Sequence, residues 1–531
     1  MSLFNDQRVT IPPHCAIVPV GGKKYVYLRT EYYRNANKNS TTKRRALGRY
    51  EEETGLLIPN ENYFDQYHLP LPGLPERIRS FGTYNVLRKI SEEIGLTGIL
   101  QKSFPETWEQ LLTIAQYMIS GKEAMVYLND WLDENVSFTK ETMYSSQISE
   151  LFGNLDENSK TEFFRLWLER HATKEFTAYD VSSISSYSRN IEDIEWGYNR
   201  DKEKLPQINL AMYYGQETDL PFYYRTYPGS ITDKVHLQYM MEDLDELDHR
   251  NGCYVLDRGF YSKENLKYMA SEAIKFLIAM PGGLNLYEKL IEQHREEIID
   301  RYDCRLGDGL PYGKVVELTE YGFRMNVHIF YDERKKPLDT EAFYSSLNDM
   351  EAELKKADKL PGKQSRLYRY FDIREENGKI VYERKADGMD KELRLCGFFI
   401  LAETTFRYTT AEILDIYRHR DMVEKSFDDL KNELDMNRLK VHSDQVVNGK
   451  MFSAFISLIL RSVMMKRLKT YLRNEKISFR KVMIELGKIK ARYSPEKEAG
   501  FRLYNPLTKK QKEILSVLGF DPEDFISSCV V

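Results

Sequence analysis

The sequence predicts an α/β protein whose mixed sheet is covered by helices on both faces. The first observation is a run of three β-leaning segments, at residues 176–180, 207–214 and 220–227. The second is the alternation of helices with short apolar strands that follows, at residues 233–247, 253–256, 262–271 and 275–280. Meandering strands followed by alternating helices and buried strands imply a mixed sheet between two helical layers.

The segments before this sheet differ from it in character. Residues 1–60 are basic and β-leaning, and an alternating, Tyr-rich stretch at 24–33 leads into a polar stretch at 35–45. Such a segment is typical of proteins that track a DNA backbone, although an exposed hairpin has the same pattern. From residue 75 the periodicity indicates helices, the clearest at 86–94, 108–119, 123–135, 146–152 and 161–172.

Residues 284–395 interrupt the alternation of strands and helices. Hairpins are predicted at 313–331 and 367–384, with a charged helix at 340–358 between them. This stretch is therefore predicted to be a β-rich insertion. The strand at 396–401 then resumes the sheet.

Composition is typical of a large multidomain globular protein. At 531 residues the chain is too long for one ordinary core, and a prior of about 150 residues per domain suggests roughly three or four domains. The most apolar stretch, 451–465, predicts a buried helix, and the first residues lack the features of a secretion signal. We therefore expect a cytoplasmic protein without a membrane partner. Five scattered cysteines, with no Cys-x-x-Cys pair, indicate neither a disulfide framework nor a zinc site.

The charge distribution indicates a nucleic-acid partner more than the net charge does. The net charge is −5, yet residues 1–50 hold ten lysines and arginines against two acidic residues, and residues 461–492 hold eleven against two. Basic ends around an acidic middle fit a protein that binds phosphates at its edges and groups carboxylates at its centre. Each basic run taken singly also fits a solvated surface.

The most informative stretch is a predicted helix that contains Tyr417, Arg420, Glu424 and Lys431. Neither Gly nor Pro occurs from 407 to 448, and apolar residues recur at three- and four-residue steps. At about 100° per residue, the four polar side chains fall together beside the apolar stripe. A solvated helix surface with ion pairs worth about 0.2–0.5 kcal/mol each has the same pattern.

Two aspartates are associated with the strands of the predicted sheet. Asp180 ends the strand at 176–180, and Asp257 follows the strand at 253–256. If those strands are neighbours, both carboxylates emerge at one edge, and a helix packed across that edge adds Glu424. Carboxylates so close require a cation, and their hard oxygen ligands suit Mg²⁺ or Mn²⁺. The alternatives are that Asp180 caps a turn and that Asp257 starts one.

These motifs resemble those of bacterial insertion-sequence transposases of the Asp-Asp-Glu superfamily. One group of them is marked by Tyr-x2-Arg-x3-Glu-x6-Lys, a spacing matched at every position by Tyr417, Arg420, Glu424 and Lys431. Asp257-Arg-Gly-Phe resembles that group's second motif, and Tyr179-Asp180 its short first motif. The separation of 167 residues between Asp257 and Glu424 is also similar to this group, whose ribonuclease-H-like core carries a β-strand insertion there.

The resemblance implies a DNA transposase that cuts at terminal inverted repeats and transfers the freed 3′-hydroxyl to target DNA. Its catalytic residues, which would hold two Mg²⁺ ions with Mn²⁺ as a substitute, are Asp180, Asp257 and Glu424. Its phosphate contacts would be Tyr417, Arg420 and Lys431. Arg258 is a further DNA-binding candidate, which a surface ion pair explains equally well. The expected assembly is a homodimer on DNA, in the cytoplasm and associated with the nucleoid.

The elements and the resemblance together predict six parts. They are a basic N-terminal DNA-binding segment (1–60), a helical domain (61–173), the first part of the ribonuclease-H-like core (174–283), the β-rich insertion (284–395), the second part of the core (396–470) and a basic helical C-terminal region (471–531).

Two other functions fit the same residues. One is a nuclease or resolvase on the same core that does not transfer strands, against which the large ends and the motif lysine argue. The other is a non-catalytic DNA-binding derivative, against which the presence of all three acids argues. A glycosidase with paired carboxylates is not supported, because neither a Trp-lined subsite nor an eightfold β/α order is visible in the sequence.

Overall fold

The computed structural model describes residues 7–34, 40–67, 69, 77–121, 124–172, 175–188, 190–249, 252–357, 359–362, 365–376, 379–441, 443–493 and 502–527. The chain divides into two compact units. The first contains residues 1–82, 134–136 and 485–531, and the second contains 83–133 and 137–484. Residues 1–60 and the part of the chain from 485 onward therefore belong to the same unit, whereas residues 471–484 belong to the second.

A four-stranded antiparallel sheet begins the chain. Its strands, which pair in sequence order, are β1 (Cys15–Val20), β2 (Lys23–Arg34), β3 (Ser40–Tyr50) and β4 (Leu57–Pro59). Val26, Leu47 and Leu57 form its buried centre. The short helix α1 (Glu61–Gln66) and the strand β5 (Arg77–Ser80) follow. The β-leaning character predicted here is confirmed, although residues 35–39 of the predicted polar stretch lie outside the described residues.

Six helices come next, as the periodicity of residues 61–173 predicts. They are α2 (Gly82–Glu93), α3 (Leu96–Ser103), α4 (Trp108–Ser120), α5 (Leu128–Glu134), α6 (Ser145–Asn154) and α7 (Glu157–His171). The helix predicted at 123–135 is shorter than expected, since a 3₁₀ turn at Met125–Tyr127 precedes α5. Residues 111–119 of α4 are buried on every side, which makes α4 a core helix.

The predicted order of three strands, helix, strand, helix and strand is confirmed. These elements are β6 (Phe176–Ser185), β7 (Gln207–Gly215), β8 (Pro221–Pro228), α8 (Asp233–Glu246), β9 (Cys253–Leu256), α9 (Lys263–Ser271) and β10 (Lys275–Ala279). All residues of β6 and β7 are buried, as expected for central strands covered on both faces.

Both hairpins predicted between 284 and 395 are present. The elements of this stretch are α10 (Asn285–Ile298), β11 (Tyr312–Glu320), β12 (Phe323–Tyr331), α11 (Lys335–Lys356), α12 (Leu367–Tyr370), β13 (Phe371–Glu376), β14 (Lys379–Arg384) and α13 (Ala386–Leu395). The second hairpin has a small core of its own with α11 and α12. The first hairpin differs. Residues 327–331 of its strand β12 are all buried, so other elements must cover both faces of that strand.

The rest of the chain returns to the large sheet and then becomes helical. Its elements are β15 (Phe398–Glu403), α14 (Thr410–His419), α15 (Asp421–Asp428), α16 (Asp444–Glu475), α17 (Phe479–Gly487), β16 (Lys490–Tyr493), β17 (Arg502–Leu503), α18 (Lys509–Val517) and α19 (Pro522–Ser527). By length and composition α16 could cross a membrane, but 89% of its most apolar window is buried inside the protein. This agrees with the buried helix predicted at 451–465.

The eight-stranded sheet of the second unit is mixed, as predicted. Its order is β11-β12-β15-β10-β9-β6-β7-β8. The β10–β9 and β9–β6 pairs are parallel and the others are antiparallel. The first hairpin of the predicted insertion thus extends the central sheet through β12 and β15. On one face of the sheet, Ile413 and Leu414 of α14 pack against Phe176, Val255 and Leu277.

Candidate active site

Asp180 and Asp257 lie side by side at the centre of the large sheet. In the parallel strands β6 and β9, the last paired residues are Tyr179 and Leu256. Asp180 directly follows Tyr179, and Asp257 directly follows Leu256. The prediction that these strands are neighbours is confirmed. The prediction that Asp180 ends its strand is wrong, because β6 continues to Ser185 through its pairing with β7. Ser182 and Ser183 lie in the strand, so the alternative in which Asp180 caps a turn is wrong as well.

The helix predicted to carry the Tyr, Arg, Glu and Lys motif is not continuous. It breaks at Arg420, between α14 and α15, where the Val423 amide donates to the Arg420 carbonyl at 3.0 Å. A three-residue step of this kind tightens the turn. After Asp428 the chain enters a π-helical turn at Asp429–Glu433. Arg420 contacts both Tyr417 and Glu424, whereas Lys431 pairs with Asp201.

Arg420 lies between the three predicted metal-binding carboxylates. Its Nη1 is 3.3 Å from Oδ2 of Asp180, and its Nη2 is 4.0 Å from Oδ1 of Asp257 and 2.7 Å from Oε1 of Glu424. Burial by itself lowers the pKa of this guanidinium, but Tyr417 and the three carboxylates outweigh burial and the pKa is raised. Arg420 therefore stays charged, and the three acids meet around one positive charge.

Tyr417 contacts the same group from α14. Its hydroxyl donates to Oδ1 of Asp257 at 3.3 Å, and the centre of its ring is 5.7 Å from the guanidinium of Arg420. Burial, and then the negative charge of Asp257, raise the pKa of this phenol above its usual range. The hydroxyl therefore remains a hydrogen-bond donor at neutral pH.

Asp180 has a second cationic partner that sequence patterns did not indicate. Nη1 of Arg200, from the loop between β6 and β7, lies 3.3 Å from Oδ1 of Asp180. The amide of Val181 donates to the same oxygen at 2.8 Å. Burial nevertheless raises the pKa of Asp180 to about 6, against the lowering effects of Arg200 and Arg420. Arg200 was missed because it lies in an irregular loop, where no periodicity shows what a side chain faces.

The residues of this site lie in a stretch that matches a known protein family. Residues 171–460 match the family model described as the transposase DDE domain. The match spans more than half of the chain and contains every residue of the site. The chain belongs to the DDE transposases. As a member of this family it is a DNA transposase.

Among the solved structures that match is the piggyBac transposase synaptic complex with hairpin DNA, determined by cryo-EM, at 10% sequence identity and a TM-score of 0.33. The similarity covers 75% of this chain and 70% of that chain. No curated protein matches the transposase.

DDE transposases use divalent metal ions, and the donor set of this transposase fits such an ion in its chemistry. Its carboxylates carry three negative charges, which Arg200 and Arg420 offset only in part. Which residues hold the ion stays a prediction. Within the described ranges, no three His, Cys, Asp or Glu side chains are grouped closely enough to hold a metal ion. The reason is that Arg420 lies between the three acids.

The remaining two predicted DNA-binding residues lie apart from this charge cluster. Nζ of Lys431, in the π-helical turn, pairs with Asp201 at 2.7 Å, and its side chain is 11% exposed. Arg258 is exposed at the start of a 3₁₀ turn directly after Asp257. It lines a cavity of about 760 Å³ that also reaches Asp257 and Tyr417. A phosphate contact for either residue stays a prediction.

Proposed function

We propose that this DDE transposase cuts DNA at the terminal inverted repeats of a mobile element and joins the freed 3′ ends to target DNA. The observation that carries the proposal is the meeting of Asp180, Asp257 and Glu424 around Arg420. Two of the acids come from adjacent parallel strands and the third from a helix close to them. This arrangement supports a ribonuclease-H-like core and membership of the group marked by Tyr-x2-Arg-x3-Glu-x6-Lys in bacterial insertion sequences.

The three carboxylates are the proposed ligands of two Mg²⁺ ions, for which Mn²⁺ can substitute. Bound divalent cations would supply an activated water and offset the charge that develops on the transferred phosphoryl group. Oxygen ligands suit both metals. The protein contributes the positions of the acids, which the parallel strands and the capping box at Thr409 and Glu412 help to fix.

The proposed chemistry consists of two phosphoryl transfers. In the first, water attacks the phosphorus at the transposon end, the bond to the 3′-oxygen breaks, and a 3′-hydroxyl and a 5′-phosphate result. In the second, that 3′-hydroxyl attacks a phosphodiester of target DNA and displaces its 3′-oxygen. One phosphodiester is made for each one broken, so the joining step needs neither a covalent protein intermediate nor an external energy source.

The side chains around the acids would act on the DNA backbone. The protonated hydroxyl of Tyr417 and the charged guanidinium of Arg420 would donate to a phosphate held at the carboxylates. Lys431 and Arg258 would contact neighbouring phosphates. Since two transposon ends must be joined and one chain carries one set of acids, we propose a homodimer on DNA. Its proposed location is the cytoplasm, at the nucleoid.

The test uses labelled duplex DNA with the terminal repeat and flanking sequence of the element that encodes the chain. We expect Mg²⁺-dependent release of a 3′-hydroxyl at the repeat, and joining of a pre-cut end to a target plasmid. The Asp257→Asn variant is the inactive control. Cleavage without joining would indicate a nuclease or resolvase, and binding without either would indicate a non-catalytic derivative. Either result overturns the proposal.

A further inference from the structure

A short segment of the loop between β6 and β7 lies across the cationic residues of the site. This segment, residues 199–203, is called the strap below. Three ion pairs tie it to the rest of the second unit. They join Arg200 to Asp180 at 3.3 Å, Asp201 to Lys431 at 2.7 Å and Glu203 to Arg438 at 2.6 Å.

The attachment of the strap is polar throughout. The Asn199 side chain donates to Oγ of Ser185 at 2.9 Å, and the Arg200 amide donates to Oγ of Ser183 at 3.1 Å. The amides of Asp201 and Glu203 donate to the Asn199 side chain at 2.9 and 3.2 Å. Every strap residue is exposed or half-exposed. Because these ion pairs and hydrogen bonds hold the strap at the surface, breaking them is the main cost of releasing it.

The two cations under the strap are shielded from solvent on the side that it covers. The side chain of Lys431 is 11% exposed and that of Arg438 is 25% exposed. Arg438 also lies over the ring of Tyr187, at 5.8 Å from its centre. A carboxylate and a phosphate are alternative anionic partners for the same lysine or arginine. A phosphate that binds Lys431 or Arg438 would therefore compete with Asp201 or Glu203.

The third ion pair connects the strap to the acids. Arg200 supplies positive charge at Oδ1 of Asp180, while Arg420 supplies it at Oδ2. A cation bound at Asp180 and the guanidinium of Arg200 compete for the same carboxylate. The strap thus covers both a predicted phosphate contact, at Lys431, and a proposed metal ligand, at Asp180.

We propose that the strap occupies the DNA-binding site of the free transposase and that DNA displaces it. Asp201 and Glu203 act as phosphate mimics on Lys431 and Arg438, and Arg438 is thereby assigned as a DNA contact outside the Tyr, Arg, Glu and Lys motif. Displacement also withdraws Arg200 from Asp180, so DNA binding exposes the carboxylate when substrate is present. The inference rests on the proposed function, because it requires DNA at this site.

The first experiment removes the charge of the mimics. The double variant Asp201→Asn and Glu203→Gln keeps the shape of both side chains, and its affinity for terminal-repeat DNA is measured by fluorescence anisotropy in EDTA. We expect binding about three- to thirtyfold tighter than for the unaltered protein, since the ion pairs of Asp201 and Glu203 no longer oppose DNA. Working without metal separates binding from catalysis.

The matched control removes two acids that are paired elsewhere. Glu92 accepts from Arg88 at 2.9 Å on α2, and Glu162 accepts from Arg165 at 2.9 Å on α7. The variant Glu92→Gln and Glu162→Gln changes the net charge by the same amount, and we expect its affinity to stay within about twofold. An equal gain in affinity in both variants would show a general charge effect and would overturn the proposal for the strap. No gain in affinity in either variant would overturn it too.

The second experiment follows the strap itself by hydrogen exchange. The amides of Arg200, Asp201 and Glu203 are hydrogen-bonded in the free protein. We expect them to exchange faster when DNA is bound, whereas amides at a DNA contact are expected to slow. Slower or unchanged exchange of these amides when DNA binds would overturn the proposal for the strap and leave the proposed function standing. Failure of the unaltered protein to bind the repeat would overturn the proposed function and the strap together.

Discussion

Arg420 donates to Oδ2 of Asp180 at 3.3 Å, and both side chains are only 10% exposed. This pair places a fixed positive charge within a group of three acids. Asp257 and Glu424 contact the same guanidinium from more exposed positions. With Arg200, two positive charges face three negative ones, so the group still attracts a cation when all three acids are ionised.

We expect Glu424→Gln to lower DNA cleavage by at least about 100-fold, because the side chain keeps its shape but loses the charge that would bind a metal ion. Binding of the terminal repeat is expected to stay within about twofold. Nicking of labelled repeat DNA in Mg²⁺ measures the first effect and anisotropy the second. The control is Asp421→Asn, an exposed acid at the start of the same helix.

Retained Mg²⁺-dependent cleavage in Glu424→Gln would remove Glu424 from the proposed ligand set. A similar loss in Asp421→Asn would instead point to a general effect of charge on α15. The two substitutions lie three residues apart on one helix, so folding defects of that helix affect both variants alike.

The acids were predictable from the sequence because strand order decides where they emerge. The element order placed the strands of Asp180 and Asp257 in one sheet, and their parallel pairing brings the two residues together. The end of β6 was not predictable. Ser182 and Ser183 are common in turns, but here they lie in a strand whose length is set by pairing with β7, a tertiary contact that local propensity does not report.

The stability of the metal-free protein is expected to fall as the pH rises from about 4 to about 6. The pKa of Asp180 is raised by burial from 3.8 in its unperturbed form to about 6. Between these values the folded state binds more protons than the unfolded state, so raising the pH favours unfolding. Above about pH 6 this contribution is constant, and below about pH 4 it is absent.

Asp180→Asn tests this, since asparagine does not titrate. In EDTA we expect the variant to gain about 2 kcal/mol in unfolding free energy over the unaltered protein between pH 4.5 and 7.5. Urea unfolding at a series of pH values measures the difference. A difference that does not change with pH would show that Asp180 is ionised in both states across this range. Asp219→Asn, at a site where the side chain is half-exposed, is the control.

The three acids should become destabilising when their shared arginine is removed. We expect Arg420→Met to lower the unfolding free energy of the metal-free protein by about 3 kcal/mol at pH 7.5, because the buried carboxylate of Asp180 loses one of its two cationic partners and keeps only Arg200. Arg420→Lys should lose less. Arg418→Met, at an exposed position two residues earlier, should stay within about 0.5 kcal/mol.

Addition of Mg²⁺ or Mn²⁺ shows whether Arg420→Met destabilises the protein through its lost charge or through its lost packing. If the acids hold a divalent ion, the ion replaces the lost positive charge and stabilises Arg420→Met more than the unaltered protein, as a shift in the midpoint of thermal unfolding. A shift of equal size in both proteins would show that the metal does not bind where Arg420 lies.

Two other features could not be predicted from sequence periodicity. Lys431 lies in a π-helical turn, which adds a residue to the helical repeat, and its side chain pairs with Asp201. The hairpin of β11 and β12 joins the central sheet because β15, which lies more than 60 residues later, pairs with β12. Both depend on contacts between distant parts of the chain.

The packing of α16 on α6 gives a prediction that is independent of function. A Cβ atom at Gly449 would lie 2.3 Å from the carbonyl oxygen of Phe152 and 2.5 Å from its Cα, whereas a Cβ at Gly153 would meet nothing within 4 Å. We expect Gly449→Ala to lower the unfolding free energy by about 1–3 kcal/mol, because backbone atoms must move. Gly153→Ala should raise it by up to about 1 kcal/mol through helix propensity. Urea unfolding measures both, and equal effects would show that the helices do not approach so closely.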